Sequence, residues 1–97
     1  MDKVQVHRHN GSGIYFEHYR YPQGRDELIR YHRGRSPWQP AERGGYTMCY
    51  IVENDGAIGG IGIARCSEKD AFCYRIGRTI ARGRALKALA TAQAEQS

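Results

Sequence analysis

The sequence predicts an α+β fold in which two antiparallel β-hairpins form a small sheet and a long C-terminal amphipathic helix packs across it. Strand-forming runs occur in two pairs within residues 4–65, and a turn-forming cluster interrupts each pair. Residues 66–90 then repeat apolar side chains at helical spacing and carry several arginines. A chain of 97 residues suffices for one core, so we expect a single small domain over residues 1–97.

The first hairpin is predicted over residues 4–21. Residues 4–9 alternate in polarity, the Asn-Gly-Ser-Gly cluster at 10–13 favours a turn, and residues 14–21 are rich in strand formers. In the second strand Phe16 shares a face with Ile14, His18 and Arg20, and we expect this face to meet the core. The other face carries Glu17 and three tyrosines that are candidate binding residues, Tyr15, Tyr19 and Tyr21.

The middle of the chain has weaker signals. Pro22 and Gly24 end the strand, after which Asp26 can cap a short helix over residues 27–32 that ends at Gly34. A third strand in this segment is the alternative. Residues 35–40 contain two prolines, which predicts a loop, and we expect Trp38 to pin it.

The second hairpin has the clearest signals in the chain. Residues 46–53 are rich in strand formers, residues 54–57 supply turn chemistry, and residues 58–65 form the return strand. In that strand Gly60, Gly62 and Ala64 share one face, and glycine in a strand is costly unless something approaches closely. We expect the following helix to be that neighbour.

The helix is predicted to begin at Ser67, which has Asp70 three residues later as in a capping box. The predicted core stripe, with Leu86 at its border, consists of Phe72, Ile76, Thr79, Ile80, Gly83 and Ala90. Gly83 is expected to pack against the glycine-rich strand, whereas Gly77 lies off the stripe and is free to admit a partner. Residues 91–97 lose the apolar rhythm and are expected to fray.

The chain is basic, with a formal net charge of +5 and a pI near 9.4, which favours an anionic partner. Three arginines, Arg75, Arg78 and Arg82, form a row on an exposed side of the predicted helix, and we identify them as candidate binding residues. No apolar run is long enough to cross a bilayer and the N-terminus has no signal-peptide pattern, so we expect a cytoplasmic protein without membrane contact.

Metal, cofactor and catalytic motifs are missing from the sequence. The four histidines and three cysteines form no CxxC or HxxxH pair, so no metal site is predicted. Cys66 would lie at a helix N-terminus, where a thiol can be activated, but no base is paired with it. The glycines at 59–62 lack the Lys-Ser/Thr of a phosphate-binding loop. We therefore expect a protein that is not an enzyme and uses no cofactor.

The last third of the chain carries a family resemblance. The segments Cys66-Ser67, Lys69-Asp70, Gly77-Arg78, Ile80-Ala81 and Gly83-Arg84, together with Phe72, resemble a strand-to-helix segment of small uncharacterised proteins from bacteriophages and mobile elements. The resemblance implies a host-takeover or anti-CRISPR type of factor that binds its target stoichiometrically in the host cytosol. Its partner would be a host protein or a nucleoprotein complex.

Two functions therefore follow from the sequence. The first is a non-enzymatic inhibitor or adaptor that docks the arginine row on an acidic protein or nucleoprotein surface. The second is direct nucleic-acid binding, in which the arginines neutralise phosphates and the strand tyrosines stack on unpaired bases. The small sheet leaves open edges, which also permits a homo-oligomer.

Overall fold

A computed structural model describes residues 6–9 and 12–96 and confirms the α+β fold. The strands are β1 (Val6–His9), β2 (Ser12–Arg20), β3 (Ile29–Tyr31), β4 (Arg43–Val52) and β5 (Ile58–Ala71), and the helix is α1 (Tyr74–Gln96). All strand pairs are antiparallel, in the order β1-β2-β4-β5, and β3 pairs with β2. The two predicted hairpins, β1–β2 and β4–β5, therefore lie side by side with β2 against β4.

The first hairpin has the predicted polarity. Phe16, His18 and Arg20 are buried, and the side chains of the opposite face are half-buried. Residues 4, 5, 10 and 11 of the predicted hairpin lie outside the described residues.

The helix predicted over residues 27–32 is wrong, and the strand alternative is correct. Ile29–Tyr31 pairs with β2, where Tyr31 stands opposite His18. The Tyr31 and Trp38 rings are tilted against each other with centroids 5.0 Å apart, so the proline loop folds back on this strand. Pairing with β2 satisfies backbone groups that a short isolated helix would leave open, which explains the preference.

The helix approaches the sheet through the glycine-rich face of β5, as predicted. A Cβ atom on Gly60 would lie 2.3 Å from the backbone oxygen of Ala85, and one on Gly62 would lie 2.1 Å from that of Ala81. Ala81 and Ala85 are completely buried. Backbone therefore lies almost against backbone, and only a hydrogen atom fits between strand and helix at these positions.

The predicted helix start at Ser67 is wrong, because β5 runs on to Ala71 and α1 begins at Tyr74. Between the pairs Gly45–Cys66 and Arg43–Ala71, β5 contains three more residues than β4, which makes a bulge. The Ser67 hydroxyl accepts a hydrogen bond from the backbone N–H of Lys69 at 3.1 Å within this bulge. A serine side chain serves a local turn as readily as a helix cap, so the same residues specified a different structure.

The predicted inward stripe of the helix is also wrong. Ile76, Ile80 and Leu86 are 59%, 41% and 43% exposed, and a Cβ on Gly83 would meet nothing within 4 Å. The inward stripe instead contains the small residues Gly77, Ala81 and Ala85, because the glycine face of β5 leaves no room for large side chains. A Cβ on Gly77 would lie 2.6 Å from the Thr47 hydroxyl oxygen.

The core is correspondingly small. Its buried apolar members are Phe16, Cys49, Ile51, Ala64, Ala81 and Ala85, with Ile14 and Leu89 packed against them. The helix continues beyond Ala90 to Gln96, past the point where the apolar rhythm ends. An outward ridge of α1, formed by Ile76, Ile80, Gly83 and Leu86, thus faces away from the sheet.

Candidate functional site

The predicted arginine row lies on the flank of α1. Measured around the helix from the buried Ala81, Arg78 lies about 60° away, Arg82 about 100° and Arg75 about 120°, all in one direction. Arg75 and Arg82 are exposed and Arg78 is half-buried. The row is therefore open to a partner while its helix is held on the sheet.

This flank is turned toward the middle strands. Burial, followed by the positive charges of Arg78, Arg20 and Arg33, lowers the pKa of His18 in β2 to about 4. Burial raises the pKa of Cys49 in β4 to about 11, and the charge of Arg82 opposes that rise. These influences place Arg78 and Arg82 beside β2 and β4. We name Arg20, Arg33, Arg75, Arg78 and Arg82 the arginine cluster.

Arg20 is the buried member of the cluster and is only 5% exposed. Its guanidinium donates hydrogen bonds of 2.7 Å to the Tyr74 hydroxyl and 2.7 Å to the Ala41 carbonyl, and its Nε has no partner. The guanidinium carbon lies 4.1 Å from the centroid of the Phe72 ring. A buried cation usually has a carboxylate partner, and this one is held by neutral groups and aromatic rings instead.

Arg33, in the loop after β3, brings a second positive charge to the same place. Its guanidinium carbon lies 4.9 Å from the centroid of the Tyr74 ring, whose hydroxyl accepts from Arg20. Tyr74 is the first residue of α1, so Arg20 and Arg33 meet at the start of the helix. The first turn contains no acidic residue, and the helix dipole adds its positive end to the arginine charges.

The cluster is not neutralised within the described residues. The ion pairs in residues 6–9 and 12–96 join Arg25 to Glu27 and Arg30 to Glu17, the latter at 3.4 Å, and neither involves the cluster. The side chains of α1 include five cations and a single carboxylate, that of Glu95. The arrangement therefore concentrates positive charge that a partner's anionic groups can satisfy.

His18 forms the floor of the cluster as a neutral imidazole. Its Nδ1 lies 2.9 Å from the Thr47 hydroxyl oxygen, within hydrogen-bonding distance. Its ring stands edge-on to Tyr74, with centroids 4.7 Å apart. A pKa near 4 keeps the ring uncharged at neutral pH, so His18 adds no further charge.

The predicted tyrosines do not join the arginines. Tyr15 and Tyr19 alternate with the helix-facing residues of β2 and therefore lie on the opposite face of the sheet. There Tyr15 stacks on Tyr50 with centroids 5.1 Å apart, and Tyr19 stacks on Tyr46 at 4.6 Å. Tyr21 follows the end of β2, where its ring lies beside Gly44.

Glu17 lies between the two tyrosine pairs and connects them. Its carboxylate accepts hydrogen bonds from the Tyr19 hydroxyl at 2.8 Å and the Tyr50 hydroxyl at 3.5 Å. Burial and the bond to Glu17 raise the pKa of Tyr19 to about 12. Arg65 completes this face, with its guanidinium carbon 5.6 Å from the Tyr46 ring centroid.

Three members of the site were missed in the sequence. Arg20 was placed on the core face of its strand but not assigned a role, and its position in register with Phe16 was the available signal. No sequence pattern pointed to Arg33 or Tyr74, because their contact forms only when the loop after β3 folds back to the start of α1. The predicted thiol at a helix N-terminus is wrong, since Cys66 lies in β5.

Metal ligands do not converge in the part of the chain described, where no group of three or more His, Cys, Asp or Glu side chains could hold an ion. Within the same residues, no helix has the length and apolar character needed to cross a membrane. The chain matches no protein-family model, no curated protein and no solved structure.

Proposed function

We propose that this chain is a non-enzymatic binding protein that docks its arginine cluster on an acidic protein surface. The observation that supports the proposal is the absence of any carboxylate partner for Arg20, Arg33, Arg75, Arg78 and Arg82 among residues 6–9 and 12–96. Such a surface suits an inhibitor or adaptor of the phage type, which the C-terminal segment resembles. The target would be a host protein or the protein part of a nucleoprotein complex.

The outward ridge of α1 favours a protein partner over nucleic acid. A helix that enters a DNA groove presents polar and basic side chains to base edges and phosphates. Here Ile76, Ile80 and Leu86 are exposed large apolar side chains on α1, and Leu86 lies one helical turn after Arg82 on the side of the arginine row. Apolar side chains next to arginine are typical of protein interfaces.

Direct nucleic-acid binding is the second candidate, and one observation favours it. Two stacked tyrosine pairs and Arg65 share the sheet face opposite the helix. Such a face can stack on unpaired bases. Two features count against this candidate. One face of each ring is already covered by its stacked neighbour. The Glu17 carboxylate also lies between the two pairs.

The test compares two triple variants with equal loss of charge. Arg75→Ala, Arg78→Ala and Arg82→Ala together remove the row, whereas Arg25→Ala, Arg65→Ala and Lys69→Ala remove three exposed cations elsewhere. Both variants and the wild type are used to capture partners from a nuclease-treated bacterial lysate, with recovery measured by quantitative mass spectrometry. We expect the row variant to lose the partner by about tenfold or more, since each charged contact is worth more than 1 kcal/mol.

Equal recovery by the row variant and the wild type would overturn the proposal. Titration of wild type with generic single-stranded DNA, duplex DNA and RNA at low salt tests the second candidate. Binding that weakens by about 0.7–0.9 log units per phosphate contact for each log unit of salt would support it. If that binding is lost in a single Arg65→Ala variant and kept in the row variant, the tyrosine face carries it.

A further inference from the structure

The edge of the sheet formed by β5 is open along its apolar part. β5 pairs with β4 on one side and, among the described residues, with no strand on the other. Proteins usually protect such an edge with charges, proline or a bulge. β5 carries its charges and its larger bulge from Arg65 onward, whereas residues 60–64 contain no charge, proline or bulge. This stretch can therefore accept another strand.

The free backbone groups of this edge belong to Ile61, Ile63 and Arg65. Successive residues of a strand direct their N–H and C=O groups to opposite sides. The Ile63 carbonyl accepts a hydrogen bond of 2.5 Å from the Arg84 guanidinium, so the backbone groups of Ile63 point away from β4. Ile61 and Arg65, two positions before and after, share this direction. The edge thus presents a row of donors and acceptors, of which Arg84 satisfies one acceptor.

The two sides of this edge differ in chemistry. Ile61 and Ile63 are exposed on the face away from the helix. On the helix side, a Cβ atom on Gly62 would lie 2.8 Å from the Arg84 Cβ, so the flank of α1 that carries Arg84 lies over β5. A groove of about 460 Å³ continues along this flank, lined by Arg84, Lys87, Ala88, Thr91, Ala92 and Glu95. Its charged groups are two cations and one carboxylate.

We propose that this edge of β5 binds an extended segment of a partner protein in which apolar side chains alternate with acidic ones. The segment pairs antiparallel to β5, which is the more stable arrangement per residue. Residues opposite Ile61 and Ile63 place apolar side chains beside the isoleucines, and the residues between them point toward Arg84 and Lys87. A carboxylate there draws Arg84 from the Ile63 carbonyl, which then accepts from the segment's N–H. This surface does not include the arginine cluster, so it stands independently of that site.

A second copy of this chain is a poor occupant of the same edge. Two β5 strands paired antiparallel about a two-fold axis keep both helices on one face of the joined sheet, so their groove-lining flanks meet. Arg84 and Lys87 of one copy would then approach the same two residues of the other, and like charges in contact oppose association. An acidic segment brings the opposite charge to these cations.

Capped seven-residue peptides test the proposal by NMR titration of the isotope-labelled protein. The first peptide alternates valine with glutamate, the second adds N-methyl groups to its valines, and the third adds them to its glutamates. In the proposed pairing the valine N–H groups face β5 and the glutamate N–H groups face solvent.

The first and third peptides should bind and the second should not. We expect dissociation constants of about 0.1–1 mM for the binding peptides, because a short free peptide loses backbone freedom on pairing. The backbone amide signals of Ile61, Ile63 and Arg65 should shift most. The peptide methylated at valine should bind about tenfold more weakly or worse, since it lacks the donors that face the edge.

Arg84→Glu combined with Lys87→Glu tests the helix side of the groove. This variant should prefer a valine–lysine peptide to the valine–glutamate peptide by about tenfold, because each charge pair has changed sign. Arg25→Glu with Arg35→Glu is the matched control, in which two exposed arginines of the loops beside β3 lose the same charge. The control and the wild type should keep the preference for glutamate.

Three results overturn the proposal in these titrations: no binding of the first peptide, equal binding of the two methylated peptides, or an unchanged preference in the groove variant. Hydrogen exchange of the wild type without peptide gives a fourth. If the Ile61 and Ile63 amide protons are protected at millimolar protein concentration, the edge pairs with a second copy instead.

Discussion

The guanidinium of Arg20 lies on the ring of Phe72, with the central carbon 4.1 Å from the ring centroid. This contact joins the last residue of β2 to the short segment between β5 and α1. Because Arg20 also donates to the Tyr74 hydroxyl, one buried cation ties the start of the helix to the sheet. Arg20 is therefore the structural centre of the arginine cluster, while the helix arginines are its accessible part.

Arg20→Ala should destabilise the protein by about 2–3 kcal/mol. The change leaves the Ala41 carbonyl and the Tyr74 hydroxyl without their hydrogen-bond partner and removes the packing on Phe72. Urea unfolding followed by circular dichroism measures the loss. Arg25→Ala, at an exposed ion pair, is the control and should change stability by less than about 0.5 kcal/mol. Equal stability of the two variants would show that Arg20 does not hold the helix start.

Gly62→Ala and Gly83→Ala should change the stability of the fold in opposite directions. The added methyl group at 62 would overlap the Ala81 carbonyl, so the helix must shift at a cost of about 1–3 kcal/mol. At 83 the methyl group enters open space and should stabilise the helix by up to about 1 kcal/mol. Thermal unfolding measures the stability of both variants against that of the wild type. A Gly62→Ala protein as stable as the wild type would contradict the close approach of strand and helix.

Acidification should destabilise the fold through His18. Its folded-state pKa near 4 is below the value of 6.5 expected in the unfolded chain, so the unfolded state takes up the proton first. Stability from this group is complete above pH 6.5 and falls by up to about 3 kcal/mol as pH drops toward 4. Urea unfolding midpoints measured across this pH range test the prediction. The His18→Gln variant should lose the part of the pH dependence that His18 causes. An unchanged profile in the variant would assign the effect to other groups.

Removing Arg78 should raise the pKa of His18. Burial is the largest cause of the low pKa and remains in the variant, so the value should move upward while staying below 6.5. NMR titration of the imidazole in Arg78→Ala measures the shift. Arg84→Ala is the matched control, because Arg84 lies on the other flank of α1, where it donates to the Ile63 carbonyl. If both variants raise the pKa of His18 equally, the arginine row does not face β2.

The sequence was sufficient to predict the fold class, because the turn clusters and strand formers of both hairpins are local signals. The close approach of α1 to β5 was also predictable from Gly60 and Gly62. The inward face of the helix was not, since periodicity assigned the largest apolar residues to the core. A strand face made of glycine selects the smallest helix residues instead, which leaves Ile76 and Ile80 outside.

The site was predictable only in part. Arg75, Arg78 and Arg82 were recognised as one row because they lie on a single helix. Their association with Arg33 depends on residues more than forty positions apart, and sequence spacing carries no information about that contact. The same limit explains the helix start, where the Ser67 signal was satisfied by a strand bulge.

The contacts of Gly60 and Gly62 also constrain how this protein can evolve. Most tight packing can be relieved by a compensating substitution, in which a neighbour becomes smaller when a residue grows. Here the nearest atoms are backbone oxygens of Ala85 and Ala81, which every amino acid carries, so no change on the helix makes room. We therefore expect relatives of this chain to retain both glycines even where exposed positions of the helix have diverged.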